Sequence, residues 1–333
     1  VSPVDPTASF RWQDGERRIV FGRGTLSEAG SLLGNGYALL TTPRAAAAAP
    51  ALTEAAGSVH EVGPGRVDEL AAELRPGLSS ELLVALGGGR VIDVAKALAA
   101  ADPPRRVAAV PTTLSGAEMT AIHRHASGVP LEAPRTRPVI VINDPVLSAS
   151  QPLAELAASA ANALGHAAEG PLTPLTSPLP SLAALEAARM IARGLADPGR
   201  PDRDALALAA LLAGYVIGST GYGLHHVLAQ TLVRFAGLGH GQANAVMLPH
   251  TLVALARRAP DRIATLGEAL GEEPARFAAR LAALARAGTL GDAGVPDDAL
   301  DGLADQAATR AELQMTPPPA DRGELLELLR AAY

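Results

Sequence analysis

Short apolar runs alternate with amphipathic segments through the first 150 residues, and that alternation predicts strands and helices in turn. RRIVFGRGTLSEAGSLL (17–33) reads as strand, glycine turn and helix. YALLTTP (37–43) is a strand ended by Pro43, AAAAAPALTEAAG is mostly helical, and SVHEVG (58–63) is a third strand. VDELAAELRPG (67–77) is an amphipathic helix stopped by Pro76 and Gly77. The clearest signal is SELLVALGGGRVIDVAKALAAAD (80–102): a buried strand from Leu82 to Leu86, three glycines, then a helix. RRVAAVPTTLSGAEMT (105–120) repeats strand and turn, and RPVIVINDPVL (137–147) adds another strand. Residues 1–18 form a polar arm with room for one short strand. Strands alternating with helices imply a mostly parallel sheet covered on both faces.

Near residue 150 the pattern changes to helix after helix, separated by Pro-rich turns such as PLTPLTSPLPS. The expected division is an α/β nucleotide-binding domain over 1–150 and an all-helical domain over 151–333. Helices at 205–219 and 250–258 are apolar nearly all round and should be buried. PARFAARLAALARAG and ELLELLRAAY close the chain as amphipathic helices.

Composition narrows the function classes. The 333 residues are 48% hydrophobic with a net charge of −6 and no basic stripe, which argues against nucleic acid as a partner. There is no cysteine, so disulfides and thiolate ligands are excluded. The polar, charged N-terminus has no signal-peptide character, and apolar runs break before the roughly 20 residues a membrane span needs. A soluble cytoplasmic protein acting on a small molecule is the expectation.

Two groups of residues carry candidate chemistry. Gly87, Gly88 and Gly89 sit where a strand gives way to a helix, so backbone N–H groups can approach a pyrophosphate; an ordinary tight turn would look the same. Asp93 and Lys96 follow on the helix; both read as solvated, or Asp93 stands beside a cofactor or substrate. Pro111, Thr112, Thr113, Ser115 and Gly116 also lie at a strand end, and fit a capped helix start equally well. The second group is imidazoles. Gly221–His250 holds four of the eight histidines, among them His226 and His240 on either side of a glycine-rich turn. Asn162 and His166 are spaced to share a helix face. Three imidazoles suit Zn²⁺, Fe²⁺ or Ni²⁺, or acid–base work. His225, His123, His125 and His60 read as structural or surface residues.

FGRGTL, GGGRVIDVAKALA, VPTTLSGAEMT, INDPVLSASQP, NALGHAAEG, GLHHVLAQTL and GHGQANAVMLPH, in that order, resemble the iron-containing (group III) alcohol dehydrogenase superfamily, and within it the maleylacetate reductases. The resemblance implies a Rossmann-like first domain with a mostly parallel sheet, an all-α second domain of the dehydroquinate synthase-like kind, and a cleft between them. It implies NAD(H) or NADP(H) on Gly87, Gly88, Gly89, Asp93, Thr112, Thr113 and Leu114, with Thr41, Thr42 and Pro43 near the adenine ribose. It also implies a homodimer. The superfamily's metal ligands, one Asp and three His, fall on Asn162, His166, His226 and His240.

Asn162 is a neutral amide where the superfamily has a carboxylate, which weakens any Fe²⁺ or Zn²⁺ site. Gln230 stands where a titrating histidine is common, and SGVPLEAP (127–134) lacks the reductases' usual lysine. The resemblance implies a carbonyl reductase that passes hydride to a ketone, such as a keto acid. Either His166, His226 and His240 hold a metal that polarises the carbonyl, or His226 or His240 acts as general acid with Asn162 as hydrogen-bond donor. A non-redox isomerase, dehydratase or cyclase on the same scaffold, or a non-catalytic homologue, remains open. On NAD against NADP, Thr41 and Thr42 stand where an acid would reject a 2′-phosphate, and Arg44 could attract one.

Overall fold

The computed structural model describes Asp5, residues 8–149 and residues 151–333; the start of the N-terminal arm and the proposed boundary residue 150 lie outside the described residues. The chain forms two compact units, one of residues 1–150 with 203–211 and one of 151–202 with 212–333.

The first unit is built on a seven-stranded sheet, in the order β1-β2-β7-β6-β5-β3-β4. The strands are β1 (Phe10–Asp14), β2 (Arg17–Phe21), β3 (Ala38–Thr41), β4 (Ser58–Glu61), β5 (Leu82–Gly87), β6 (Arg106–Pro111) and β7 (Ile140–Asn143). Only the β1–β2 pair is antiparallel; the others are parallel, as the sequence predicts. Alternate residues feed opposite faces. Leu83, Ala85, Val107 and Ala109 pack with the helices Val67–Leu74 and Gly89–Ala101, whereas Val84, Leu86, Ala108 and Val110 pack with Ala29, Leu33, Ala45 and Leu52. Burial of both faces explains why these strands read as unbroken apolar runs.

The stretch 203–211 was expected in the helical domain but packs with the first unit. Two polar anchors hold it. Arg23 Nε donates to both Asp204 carboxylate oxygens at 2.9 and 2.7 Å, and Arg203 Nη1 donates to Ser148 O at 2.7 Å.

Lys96 is fully buried rather than solvated. Its ammonium donates to Ala117 O, Thr120 O and Ile122 O and lies 2.7 Å from Asp93 Oδ1. It thereby pins the irregular segment after β6, where a short 3₁₀ turn, Ala117–Met119, stands in place of a capped α-helix. Glu118, in that turn, is buried with neither carboxylate oxygen hydrogen-bonded among the described residues, and desolvation pushes its pKa up from 4.5 to about 7. A raised folded-state pKa favours folding while the group is protonated. That contribution is complete below about pH 4.5 and is lost as pH rises through about 7. The wild type should therefore lose on the order of 3 kcal/mol from this group between pH 4.5 and 8. Denaturant melts at the two pH values should show that loss shrinking in Glu118→Gln; equal losses would refute the assignment.

The second unit contains helices and no strand among its described residues. Its central helices are Leu153–Glu169, Pro178–Gly194, Leu224–Phe235 and His240–Arg258. The last begins ten residues before the expected 250–258 segment and runs through Pro249. Proline removes one backbone hydrogen bond, but Ala245, Met247, Leu248 and Leu252 are buried on both sides of it, and that packing carries the helix across. Its later half is not buried all round, since Val253 is 46% exposed. No single helix among the described residues is long and apolar enough to cross a membrane.

Candidate active site

In the first unit the parallel strands β3, β5, β6 and β7 end on one edge of the sheet. After β3 the chain enters Pro43–Ala48 and packs on one face; after β5 it enters Gly89–Ala101 and packs on the other. Adjacent strands whose connections diverge in this way leave a crevice beyond their carboxyl ends, the usual ligand position in open α/β sheets.

The glycine turn lies at the carboxyl end of β5. Gly87 ends β5, Gly88 precedes the helix and Gly89 begins it. A Cβ on Gly87 would lie 2.6 Å from Val91 Cγ2, one on Gly88 3.1 Å from Thr113, and one on Gly89 3.0 Å from Ser115. Close packing, not a left-handed backbone, therefore demands these glycines, and it brings Thr112, Thr113 and Leu114 to the same place. Thr112 N–H donates to Gly87 O at 3.0 Å. Leu114 is buried. Asp93 lies one turn down the helix, paired with Lys96, its pKa raised by burial. Thr41 ends β3, and Thr42 caps the next helix by accepting from Ala45 N–H at 3.3 Å, with Pro43 in its first turn.

In the second unit Asn162 and His166 share one face of Leu153–Glu169 and are both buried. His226 stacks on His166 with ring centroids 4.7 Å apart and planes 27° apart. Glu169, on the same helix as His166, is the organising group. It is fully buried, and its carboxylate accepts the backbone N–H groups of His225 at 2.8 Å and His226 at 3.4 Å. It also accepts His226 Nδ1–H at 2.8 Å. Burial pushes its pKa up, but the His226 hydrogen bond, the charges of His226 and His225 and a backbone hydrogen bond from Gly223 together hold it below its usual value. An ionised Glu169 fixes the proton of His226 on Nδ1, which leaves Nε2 as a buried lone pair with no hydrogen-bond partner among the described residues. His166 Nδ1 is likewise buried and unpartnered, and desolvation followed by its imidazole neighbours drives its pKa well down, so the ring is neutral.

His240 opens its helix. Its Nε2 lies 3.1 Å from Asn162 Oδ1 and 3.3 Å from Asn244 Nδ2. His225, the neighbour of His226, points elsewhere: Nδ1 meets Thr251 Oγ1 at 2.9 Å and Nε2 meets Asn244 Oδ1 at 3.0 Å. Asn244 Nδ2 donates to His240 O, so its Oδ1 must accept, which assigns the His225 proton to Nε2. Burial lowers the His225 pKa to about 3, and the ring is a neutral structural link. Beside this cluster, Gln230 Oε1 accepts from Arg310 Nη2 at 3.0 Å and from Tyr222 OH at 3.3 Å, and Glu312 completes the network.

Comparison with known proteins agrees with this architecture. The profile for iron-containing alcohol dehydrogenase matches residues 16–145, and that for the C-terminal part of the Fe-containing alcohol dehydrogenase family matches 156–333. The chain belongs to the iron-containing alcohol dehydrogenase family. It is accordingly an oxidoreductase of the CH–OH/C=O couple that works with NAD(P)H on a small molecule. It is 32% identical to the maleylacetate reductase of Rhizobium sp. (strain MTP-10005), with 97% of each chain covered. It is 36% identical to maleylacetate reductase 2 of Cupriavidus pinatubonensis, over 83% of this chain and 80% of that one. The crystal structure of maleylacetate reductase from Agrobacterium tumefaciens superposes with a TM-score of 0.81 at 29% identity, covering 97% of this chain and 98% of that one.

The iron that gives the family its name asks for three or four donors converging on one point. The side chains here do not fit that demand. Among the described residues no three His, Asp or Glu side chains are placed to hold an ion, and His166, His226 and His240 do not assemble as the expected triad. Two of the rings stack nearly face to face, His240 is engaged by two amides, and Asn162 brings no charge. Glu169, Asn244, Thr251, Tyr222 and Arg310 were not among the sequence candidates. Glu169 alone left a trace, as an acid three residues beyond His166 on the same helix.

Proposed function

We propose that the chain is a ketone reductase for a keto acid, with NAD(P)H held at Gly87–Gly89 and the proton supplied by His226. The observation that carries this reading is the Glu169–His226 pair with its unpartnered Nε2. Bound there, the cofactor would supply the hydride that reduces the carbonyl carbon, and the carbonyl oxygen would then need a proton. His226, once protonated on Nε2, is an imidazolium neutralised by Glu169 and gives that proton to the oxygen. Asn162 and His240 orient the same oxygen through their polar atoms. The relatives' name gives maleylacetate as their substrate, which supports a keto acid here.

The test is a panel of keto acids with NADH and NADPH, followed by cofactor absorbance and by deuterium transfer from 4-deuterated cofactor. Deuterium at the new carbinol carbon is the expected result. Product without cofactor oxidation would instead support an isomerase, dehydratase or cyclase, and nucleotide binding without any product would support a non-catalytic homologue. Because the donors do not converge, dialysis against EDTA and readdition of Zn²⁺ or Fe²⁺ should leave the rate where it was. A loss of roughly tenfold or more would place a metal in the reaction.

A further inference from the structure

We propose that Arg90 binds the adenosine 2′-phosphate of the cofactor, and that the chain therefore prefers NADPH to NADH. The proposal rests on the reading that the glycine turn holds the dinucleotide. Sheet order supplies the geometry: β3 lies between β5 and β4, with Thr41 in register with both Leu86 and Glu61. Arg90 is in the first turn of the helix that follows β5. Its Nη1 donates to the carbonyl of Gly63, two residues past the end of β4. That bond carries the guanidinium from the helix after β5 to the segment after β4, the strand on the far side of β3. Two strand spacings, roughly 10 Å, is a distance an extended arginine with its backbone anchor can bridge.

The carboxyl end of that strand is where dinucleotide-binding folds discriminate. An acid there bonds the ribose 2′-hydroxyl and repels a 2′-phosphate, while an arginine accommodates the phosphate. Here β3 ends in Thr41 and Thr42, which carry no charge, and Glu61 stands one strand further out. The bond from Arg90 to Gly63 is long, at 3.4 Å, and is readily exchanged for a phosphate oxygen. The guanidinium makes no other hydrogen bond among the described residues, and the residue is exposed. Its planar fork matches two phosphate oxygens at once, which an ammonium does not. Arg44 follows in the first turn of the helix after β3.

The experiment compares 2′,5′-ADP with 5′-AMP, which differs from it only by the 2′-phosphate, by calorimetric titration of the full chain, which reads that phosphate without needing turnover. The wild type should bind 2′,5′-ADP roughly tenfold or more tightly than 5′-AMP, the value of a charge-assisted pair. In Arg90→Ser that ratio should fall toward one, and Arg90→Lys should recover part of it. Arg90 is exposed, so circular dichroism should show both variants folded. Equal affinities in the wild type, or an unchanged ratio in Arg90→Ser, would overturn the proposal while leaving the glycine turn as the nucleotide site. If neither nucleotide binds, the dinucleotide reading fails and the proposal falls with it.

Discussion

Replacing His226 with asparagine lowers kcat for ketone reduction by roughly 10²- to 10⁴-fold, the usual value of a positioned general acid, while the KM for the nicotinamide cofactor stays near that of the wild type. The split is expected because His226 lies in the second unit, whereas the glycine turn and the strand ends that meet the dinucleotide all belong to the first. Glu169→Gln is the sharper companion. It keeps the shape of the side chain, yet an amide can present N–H groups to His226 Nδ1, and the imidazole then moves its proton to Nε2 in the neutral ring. The neutral Nε2–H is a far weaker acid than the carboxylate-paired imidazolium, so kcat should fall by a comparable order. The proton inventory gives a readout that simple loss of packing would not move: the solvent isotope effect on kcat should rise in both variants as proton delivery becomes slower than hydride transfer. A His226→Asn enzyme with kcat within tenfold of wild type would remove His226 from the reaction.

The central strands were legible because each is a short apolar run closed by Gly, Pro or polar residues and buried on both faces, whereas the edge strands β1 and β4 are largely polar. The turn after β5 was legible because three successive glycines are rare except where backbones must approach closely, and Thr113 and Ser115 fill the space their side chains would occupy. Asn162 and His166 were legible from spacing alone. What spacing could not show was partnership over long separations. Glu169 reaches His225 and His226 across 56 and 57 positions, and Arg310 reaches Gln230 across 80. Lys96 read as solvated because lysine usually is, yet the segment after β6 folds over it and offers four oxygen acceptors. Adjacent histidines differ for a plain reason. One residue step turns a helix by about 100°, so His225 faces Thr251 and Asn244 while His226 faces Glu169 and His166. The helix through Pro249 shows the opposite limit, a strong local breaking signal overridden by apolar burial on either side.

Gly165→Ala should damage stability and catalysis together, although alanine is normally the better helix residue. Gly165 sits inside Leu153–Glu169, where glycine costs about 1 kcal/mol relative to alanine, so a compensating reason for it must exist. That reason is the closeness of Leu224–Phe235. A Cβ at 165 would lie 2.7 Å from both Cδ2 and Nε2 of His225 and 3.3 Å from Cε1 of His226. His225 cannot yield, because it is fully buried and held at both ring nitrogens. The helices must separate, at an overpacking cost of about 1–3 kcal/mol, which outweighs the propensity gain. Separation also lengthens the Glu169–His226 contact, and a displacement near 1 Å at a proton donor costs on the order of 10²-fold in rate. Gly302→Ala is the matched control. It lies in the helix Leu300–Ala308 with nothing within 4 Å of the added Cβ, so it should raise the melting temperature slightly and leave kcat alone. If Gly165→Ala melts with the control and turns over like the wild type, the two helices are not packed as closely as 2.7 Å requires, and the pinned orientation of His226 on which the proton transfer depends is lost with it.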